Sequence, residues 1–373
     1  MTMCWGSPAS LRRRRDAPAP DGTGGGATGD ALHPMRPAPV CGPAVPPVKL
    51  GVVVPCYRQE RFLPRTVAAI ERALAAHEWR GALVLAAPAS EPLPALSPRW
   101  TVISPPVTRP LTPGAARMLG FAACAGDWVL FPDADVEIES TWAAAAIATA
   151  ERMPALGGVG GRIEEWCLDR GRERPGSHDM YRVGESERAV GYLATLAFYR
   201  RDALIAAGGY EPRLNSEEDF ELGMRLTRIG LELRSLGMRA ARHWSGPRPS
   251  FSELGRRWQS GLCFGQGQVL RLYLGRPGFG TLLRRQGLYI AALAMWLPVA
   301  AGLAAFIAGG DSRPLRASLV IPLFAAALMS VRKRSLRLGV LSLLTWTQLG
   351  MGLVVGLFRV PAGAPEPARE ARC

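Results

Sequence analysis

Hydrophobic positions along this chain fall into two regimes. Between about residues 49 and 245 short apolar runs alternate with amphipathic stretches, and after about residue 286 long uncharged runs take over. Lys49 to Pro55 is apolar, β-branched and closed by proline, which reads as a buried parallel strand. Arg65 to His77 carries Val67, Ile70 and Leu74 at helical spacing. Ala82 to Ala86 and Thr101 to Ile103 read as further strands, and Gly114 to Ala125 as a helix. Trp128 to Phe131 is a strand running into Asp133, and Thr141 to Arg152 is an Ala-rich helix. This alternation predicts a parallel, doubly wound sheet. Such sheets bind ligands beyond the carboxyl ends of their strands. Pro55-Cys56-Tyr57 and Asp133-Ala134-Asp135 both stand there.

The second half of this region has a different rhythm. Gly157 to Ile163 is glycine-rich and strand-like, and the polar stretch 165–188 reads as a mobile loop. Val190 to Tyr199 reads as a strand and Arg201 to Ala207 as a helix, broken by Gly208-Gly209-Tyr210. Glu217 to Ile229 is an amphipathic helix whose first turn carries Glu217, Glu218 and Asp219, where acids favour the helix dipole. Leu231 to Arg234 reads as one more strand.

The long runs are Gly287 to Gly310 and Leu338 to Phe358, each long enough to cross a bilayer as a helix. Ala317 to Val331 is shorter and spans only if Arg316 and Arg332 snorkel. Arg332, Lys333, Arg334 and Arg337 crowd the turn before the last run, and Arg284 and Arg285 precede the first. The positive-inside rule then places residues 1–286 and the 332–337 loop in the cytoplasm, with the tail after Arg359 outside. Arg256 to Arg285 mixes arginines with Leu, Tyr and Phe and reads as interfacial helices. Residues 1–47 are rich in Pro, Gly and Ala and read as disordered. Arg12 to Arg15 lack a following apolar run, so no signal peptide is read, and Met35 is an alternative start. The expected organisation is therefore 1–47, a soluble domain 48–248, a basic interfacial segment 249–286, an anchor of two to three helices 287–359, and a tail 360–373.

Composition narrows the function. The net charge is +14, from 45 Lys and Arg against 31 Asp and Glu. The basic residues gather near the apolar runs, and the chain carries no helix-turn-helix, zinc or single-strand-binding signature, so a nucleic-acid partner is not expected. Seven scattered cysteines form no Cys-x-x-Cys pair, which disfavours structural zinc and fits reduced cytosolic thiols.

Three constellations carry chemistry. Asp133 and Asp135 put two carboxylates at a strand end, where hard oxygen ligands suit a divalent cation on a diphosphate. The same pair also fits a turn capping the next helix. Glu217-Glu218-Asp219 suits either a general base or simple helix-end acids. His243, in His243-Trp244-Ser245, is a further metal ligand or a structural histidine.

Taken in order, these segments resemble the family-2 glycosyltransferases, over roughly residues 49–260. Val53-Val54-Pro55-Cys56-Tyr57-Arg58-Gln59-Glu60 is similar to the family's opening strand and nucleotide-contacting segment. Gly114 to Gly120 resembles its Gly-x-Ala-Arg-Asn-x-Gly, and Gly126 to Asp135 the segment ending in Asp-x-Asp. Gly208-Gly209-Tyr210 and Glu218-Asp219-Phe220-Glu221-Leu222, with Arg225 downstream, resemble its acceptor turn and catalytic helix. The resemblance implies a GT-A-type (Rossmann-like) mixed sheet flanked by helices, followed here by transmembrane helices. It implies Asp219 as catalytic base, Asp135 as main Mg2+ or Mn2+ ligand with His243, and Asp133 as a ribose or metal contact. Pro55, Tyr57, Glu60 and Arg117 become donor contacts, and Gly209, Tyr210, Glu218, Arg257 and Trp258 the acceptor side. The implied partners are a nucleoside-diphosphate sugar and a membrane lipid or lipid-linked saccharide, with inversion at the anomeric carbon.

The chain departs from the family pattern at three points. Strand 2 runs into Ala86-Ala87-Pro88-Ala89-Ser90-Glu91 where a base-reading Asp-Asp-Gly-Ser is usual, and Met118 replaces the common Asn. Leu254 stands where processive members have Gln before Arg257-Trp258, which favours transfer of a single sugar. The rival readings are a catalytically silent membrane-anchored binding or assembly protein, a nucleotidyltransferase and a nucleic-acid-binding module. The direct passage from Pro55-Cys56-Tyr57 into a helix disfavours the second.

Overall fold

The computed structural model describes residues 49–106, 109–153, 155–246 and 251–359. The expected N-terminal segment 1–47 and the tail 360–373 lie outside them. The elements up to residue 245 are β1 (Leu50–Cys56), α1 (Leu63–Ala73), β2 (Trp79–Leu85), β3 (Trp100–Ile103), α2 (Pro113–Ala123), β4 (Trp128–Pro132), β5 (Val136–Ile138), α3 (Ser140–Arg152), β6 (Leu156–Asp169), β7 (Arg172–Pro175), β8 (Arg188–Val190), β9 (Leu196–Arg200), α4 (Arg201–Ala206), α5 (Glu218–Arg228) and β10 (Glu232–Ser245). The sheet runs β3-β2-β1-β4-β9-β6-β10-β5, with β7 on β6 and β8 on β10.

Strand β1 shows why both faces of this sheet are covered. Val52 and Val54 join Leu63, Val67 and Ile70 of α1 in one core, while Val53 points the other way, into a core with Phe121, Val129 and Phe131. That alternation follows from the two-residue period of a strand. Each fully buried valine contributes about 1.5–3 kcal/mol.

The first half matches the βα alternation of the sequence, but the sheet as a whole is mixed. Strands β1, β2, β3 and β4 are parallel. Strand β9 lies antiparallel to both β4 and β6. Three expectations change. The polar stretch 165–188 is not a mobile loop throughout: β6 extends to Asp169 and pairs with β7 as a hairpin. Val190 to Tyr199 is not one strand, since β8 pairs with β10 and β9 with β4 and β6. The strand expected at Leu231–Arg234 is the start of a 14-residue strand. Its arginines kept the later part from reading as apolar, yet they find carboxylates: Arg234 meets Glu187 at 2.7 Å and Arg239 meets Glu139 at 3.0 Å.

Beyond the sheet come α6 (Phe251–Gln259), α7 (Gly265–Leu272), α8 (Phe279–Arg285), α9 (Gly287–Ala294), α10 (Leu297–Gly309), α11 (Arg313–Ser318), α12 (Val320–Lys333) and α13 (Leu336–Phe358). Three stretches, Gly287–Gly309, Arg313–Lys333 and Leu336–Phe358, are long and apolar enough to cross a membrane. Large apolar side chains such as Ile307, Leu323 and Val331 stand exposed along them, as lipid-facing positions would.

Two packing features of this part add to the sequence reading. The 249–286 segment does not simply lie on a surface: Gly265 to Leu270 of α7 are buried. The tail end of α13 also does not point away from the sheet domain. Gln268 donates to the Arg359 carbonyl at 3.0 Å and Arg271 to the Leu357 carbonyl at 3.1 Å. Helix α9 runs antiparallel to α13, with Tyr289 against Gly350 and Trp296 bonded to Thr347 at 2.9 Å. A helix of 23 residues is about 34 Å long, so the basic turn before Leu336 lies at the far end from the sheet domain. At the domain's end of α13, Gly352 and Gly356 bring its backbone against Cys263, Phe264 and Gly267.

A side chain at Gly267 would collide with the Leu353 carbonyl, whereas nothing lies within 4 Å of Gly280. We expect Gly267→Val to cost about 1–3 kcal/mol in thermal unfolding of the detergent-solubilised chain, and Gly280→Val to cost far less. Equal melting temperatures for the two variants would remove this seam as a structural joint.

Candidate active site

The site forms where β1 and β4 end and α5 begins. Tyr57 is half-buried just past β1, and Arg58 takes a φ of +53° to turn the chain. Pro55 is the half-buried penultimate residue of β1. Glu60 is buried and tied to the end of the β2 segment: its carboxylate accepts from the Ser90 N–H at 3.1 Å and the Ser90 hydroxyl at 3.0 Å. Both oxygens are thus committed, so Glu60 braces the loops that rim the cleft.

Strand β4 delivers Asp133 and Asp135, and α2 delivers Arg117, which is buried. Arg117 donates to Asp133 at 2.7 Å and to Glu218 at 2.5 Å, and stands 3.5 Å from Asp219. Burial disfavours its charge, but Asp219, Asp133, Tyr210 and Glu218 together hold it firmly protonated. One cation therefore serves three carboxylates from stretches about a hundred residues apart in sequence.

The carboxylates respond to burial. Asp219 is pushed up to about 7, first by desolvation, with Arg117 opposing and Glu218 and Asp133 adding to the rise. Desolvation also raises Asp133 against the pull of Arg117. A carboxylate titrating near neutrality is matched to proton abstraction. Cys56, by contrast, is pushed up to about 12 by burial, so it is not a thiolate nucleophile.

His243 lies within β10, which continues to Ser245. Its Nε2 stands 3.4 Å from Asp135 Oδ2. Asp135 Oδ2 also accepts from Gln59 Nε2. Asp135 Oδ1 and His243 Nδ1 are buried without a hydrogen-bond partner, a state that costs free energy unless something fills it. Among the described residues no cluster of three or more His, Cys, Asp or Glu side chains is arranged to hold a metal. Asp135 and His243 offer two donors, a hard oxygen and an imidazole, of the type a divalent cation accepts.

The remaining sequence candidates separate. Gly209 takes a φ of +71°, which glycine tolerates, and hands the chain to Tyr210. Tyr210 is fully buried, with its ring 5.1 Å from the Arg117 guanidinium and 5.5 Å from Phe131. It supports the site from beneath. Arg257 and Trp258 are not brought into the cleft: Arg257 bonds Cys263, and Trp258 packs edge-on against Phe264 at 5.2 Å. Their neighbour Arg256, paired with Glu253 at 2.6 Å, is the one whose charge is favoured by Tyr57 and Asp135.

Sequence reasoning missed three contributors. Gln59 holds Asp135, and Arg256 of α6 stands within electrostatic reach of Tyr57 and Asp135. Thr195 accepts from the Asp133 N–H at 2.9 Å and its own N–H donates to Asp219. Gln59 sits inside a segment already singled out, so proximity was a usable signal. Thr195 carried none, since its φ of +65° is one that β-branched residues rarely adopt.

Residues 51–207 match the family described as glycosyl transferase family 2. A mannosyltransferase from Pyrobaculum calidifontis, solved with GDP-Man and Mn2+, is similar over 83% of this chain and 86% of its own, at 19% identity and a TM-score of 0.52. TarS 1–349 of S. aureus is similar over 52% of this chain and 60% of its own, at 17% identity and a TM-score of 0.39. GalNAc-T7, solved with UDP, GalNAc and Mn2+, is similar over 58% and 48%, at 14% identity and a TM-score of 0.41. The chain thus spans about half to three-fifths of the length of these last two. No curated protein matches the chain. The likeness to the mannosyltransferase is one of fold.

Proposed function

Starting from a glycosyl transferase family 2 domain over residues 51–207, we propose that this chain moves one sugar from a nucleoside-diphosphate sugar to a membrane-associated hydroxyl acceptor, with inversion. The observation that carries the reading is the meeting of Asp133, Glu218 and Asp219 on the single buried Arg117, beside the Asp135–His243 pair. Asp219 takes the proton of the acceptor hydroxyl as that oxygen attacks the anomeric carbon and the bond to the diphosphate breaks. Thr195 and Arg117 fix the carboxylate's position. Tyr57 and Arg256 flank the donor side.

Asp135 and His243 would hold a divalent cation, Mg2+ or Mn2+, which would supply neutralisation of the charge on the leaving diphosphate. The charge balance supports it. The cleft sets four carboxylates, Asp133, Asp135, Glu218 and Asp219, around the buried Arg117, and a diphosphate adds more negative charge. We expect EDTA to abolish transfer, Mn2+ or Mg2+ to restore it, and Asp135→Ala to raise the metal concentration needed by more than tenfold. Full activity in EDTA would end the metal assignment.

The acceptor is a lipid or lipid-linked saccharide, a reading supported by the three apolar helices and by α7, which ties α13 to the loop before α5. Gln268 accepts from the Asn215 N–H at 2.9 Å, and the Ser216 hydroxyl donates to the Leu262 carbonyl at 2.9 Å. The free thiols Cys56, Cys124, Cys167 and Cys263 support a cytoplasmic catalytic domain, in a pathway that builds cell-envelope polysaccharide. The reading is tested by incubating the purified chain with single nucleoside-diphosphate sugars and lipid extract. Absence of both transfer and donor hydrolysis with every donor would favour a silent binding or assembly protein instead.

A further inference from the structure

A cavity of about 430 Å3 opens on the far side of α5 from Asp219. It lies between the Gly208–Arg213 turn, the outer face of α5 and the link from α7 to α8. Glu221, Arg225 and Arg228 recur at the spacing of one helix face, which Glu218 begins beside Arg117, whereas Asp219 turns to the other side of the helix. Tyr210 is the wall between the two sites: it lines the cavity and stands under Arg117.

The lining is strongly cationic. Arg213, Arg225, Arg228 and Arg276 face it, against Glu211 and Glu221. Both carboxylates are already committed. Glu211 accepts from Arg213 at 2.7 and 2.9 Å. Glu221 accepts from Arg225 at 2.7 and 2.6 Å and from the Tyr273 hydroxyl at 2.8 Å. Among the described residues no carboxylate pairs with Arg228 or Arg276. Arg228 donates to the Pro277 carbonyl at 2.9 Å, which fixes the rim on which Arg276 stands. Two guanidinium groups thus remain without an anion in a concave site, and guanidinium forks match phosphate oxygens.

The position specifies the ligand further. Pro277 leads into α8, and α8 runs directly into the apolar stretch that begins at Gly287. The cavity therefore opens beside the segment that enters the bilayer.

We propose that this cavity binds a phosphate or diphosphate group, as a lipid headgroup or as a free anion, at a site separate from the donor cleft. The proposal is independent of the transferase reading, and its test reads binding alone. The full chain is held in EDTA, which suppresses metal-dependent binding in the cleft. In one arm, thermal unfolding in detergent is followed against inorganic pyrophosphate. In the other, the chain is reconstituted in nanodiscs of phosphatidylcholine alone or doped with phosphatidic acid. The expected result is stabilisation by pyrophosphate, by phosphatidic acid or by both. Arg228→Gln and Arg276→Gln should each weaken it about tenfold, while Arg174→Gln, on the exposed strand β7 and outside the cavity lining, leaves it unchanged. A response to phosphatidic acid alone identifies a lipid headgroup, and one to pyrophosphate alone a soluble anion. No response in either arm overturns the proposal. So does a response that survives in both cavity variants, or one that Arg174→Gln weakens equally, because bulk positive charge then explains it.

Discussion

Asp219→Asn lowers the rate of sugar transfer by about 10³-fold, within the 10²–10⁴ range of general-base catalysis, and leaves donor binding nearly intact. The amide keeps the shape of the carboxyl but accepts no proton at neutral pH. The wild-type pH profile follows from the group's position near 7. Only the ionised form works, so the rate falls about tenfold per unit below that point and levels off above it. The variant loses this limb. Stability moves the other way. The native carboxyl holds its proton more tightly than the unfolded one, whose ordinary value is about 3.9. The group therefore favours folding at low pH and loses that contribution as pH rises from about 4 to about 7. At pH 8 the variant should be at least as stable as the parent, by denaturant unfolding in detergent. A variant that retains transfer with the parent's pH limb would remove Asp219 from the mechanism.

Arg117→Met carries the second large effect, and it is on stability. Removing the guanidinium leaves Asp133, Glu218 and Asp219 facing one another without their shared cation. Breaking a buried ion cluster from one side costs about 3–5 kcal/mol. The loss should shrink at pH 5, because the stranded carboxyls relieve repulsion by protonating. Chemical unfolding at pH 5 and pH 8 separates this from simple loss of packing, which is insensitive to pH. A loss below about 1 kcal/mol at pH 8 would mean that solvent already screens the cluster. Transfer activity should vanish in either case, since Asp219 loses one of the groups that hold it.

Much of this molecule was legible in the sequence where a local rule suffices. The β-branched run at β1 and the helical spacing in α1 report burial directly, because the period of apolar residues is the period of the element. The Asp133–Asp135 pair could be placed at a strand end because Trp128 to Phe131 is apolar and ends at a proline. Two apolar runs declared themselves by length, and the shorter Ala317 to Val331 reaches spanning length only with its flanking arginines. The rest needed information that no window contains. Strand β10 reads as polar over much of its length, and only its partners β6, β8 and β5 justify its burial. The turn at Gly191–Thr195 divides an apolar run that looks continuous.

By itself, then, the sequence determined which residue types were available and where the chain turns: an opening βα unit, carboxylates at its edge, a helix beginning with acids, and an apolar end. Tertiary structure decided which of them meet. Arg117, Asp133 and Asp219 become one cluster only because β4, α2 and α5 converge, and Asp219 moves toward neutrality only because that convergence removes water. Likewise, α13 meets the segment around α7 through backbone contact at glycines that no apolar run reports. The physical reason is common to both: hydrogen bonding and apolar period act along the chain, whereas desolvation and close packing act between segments that the chain order does not bring together.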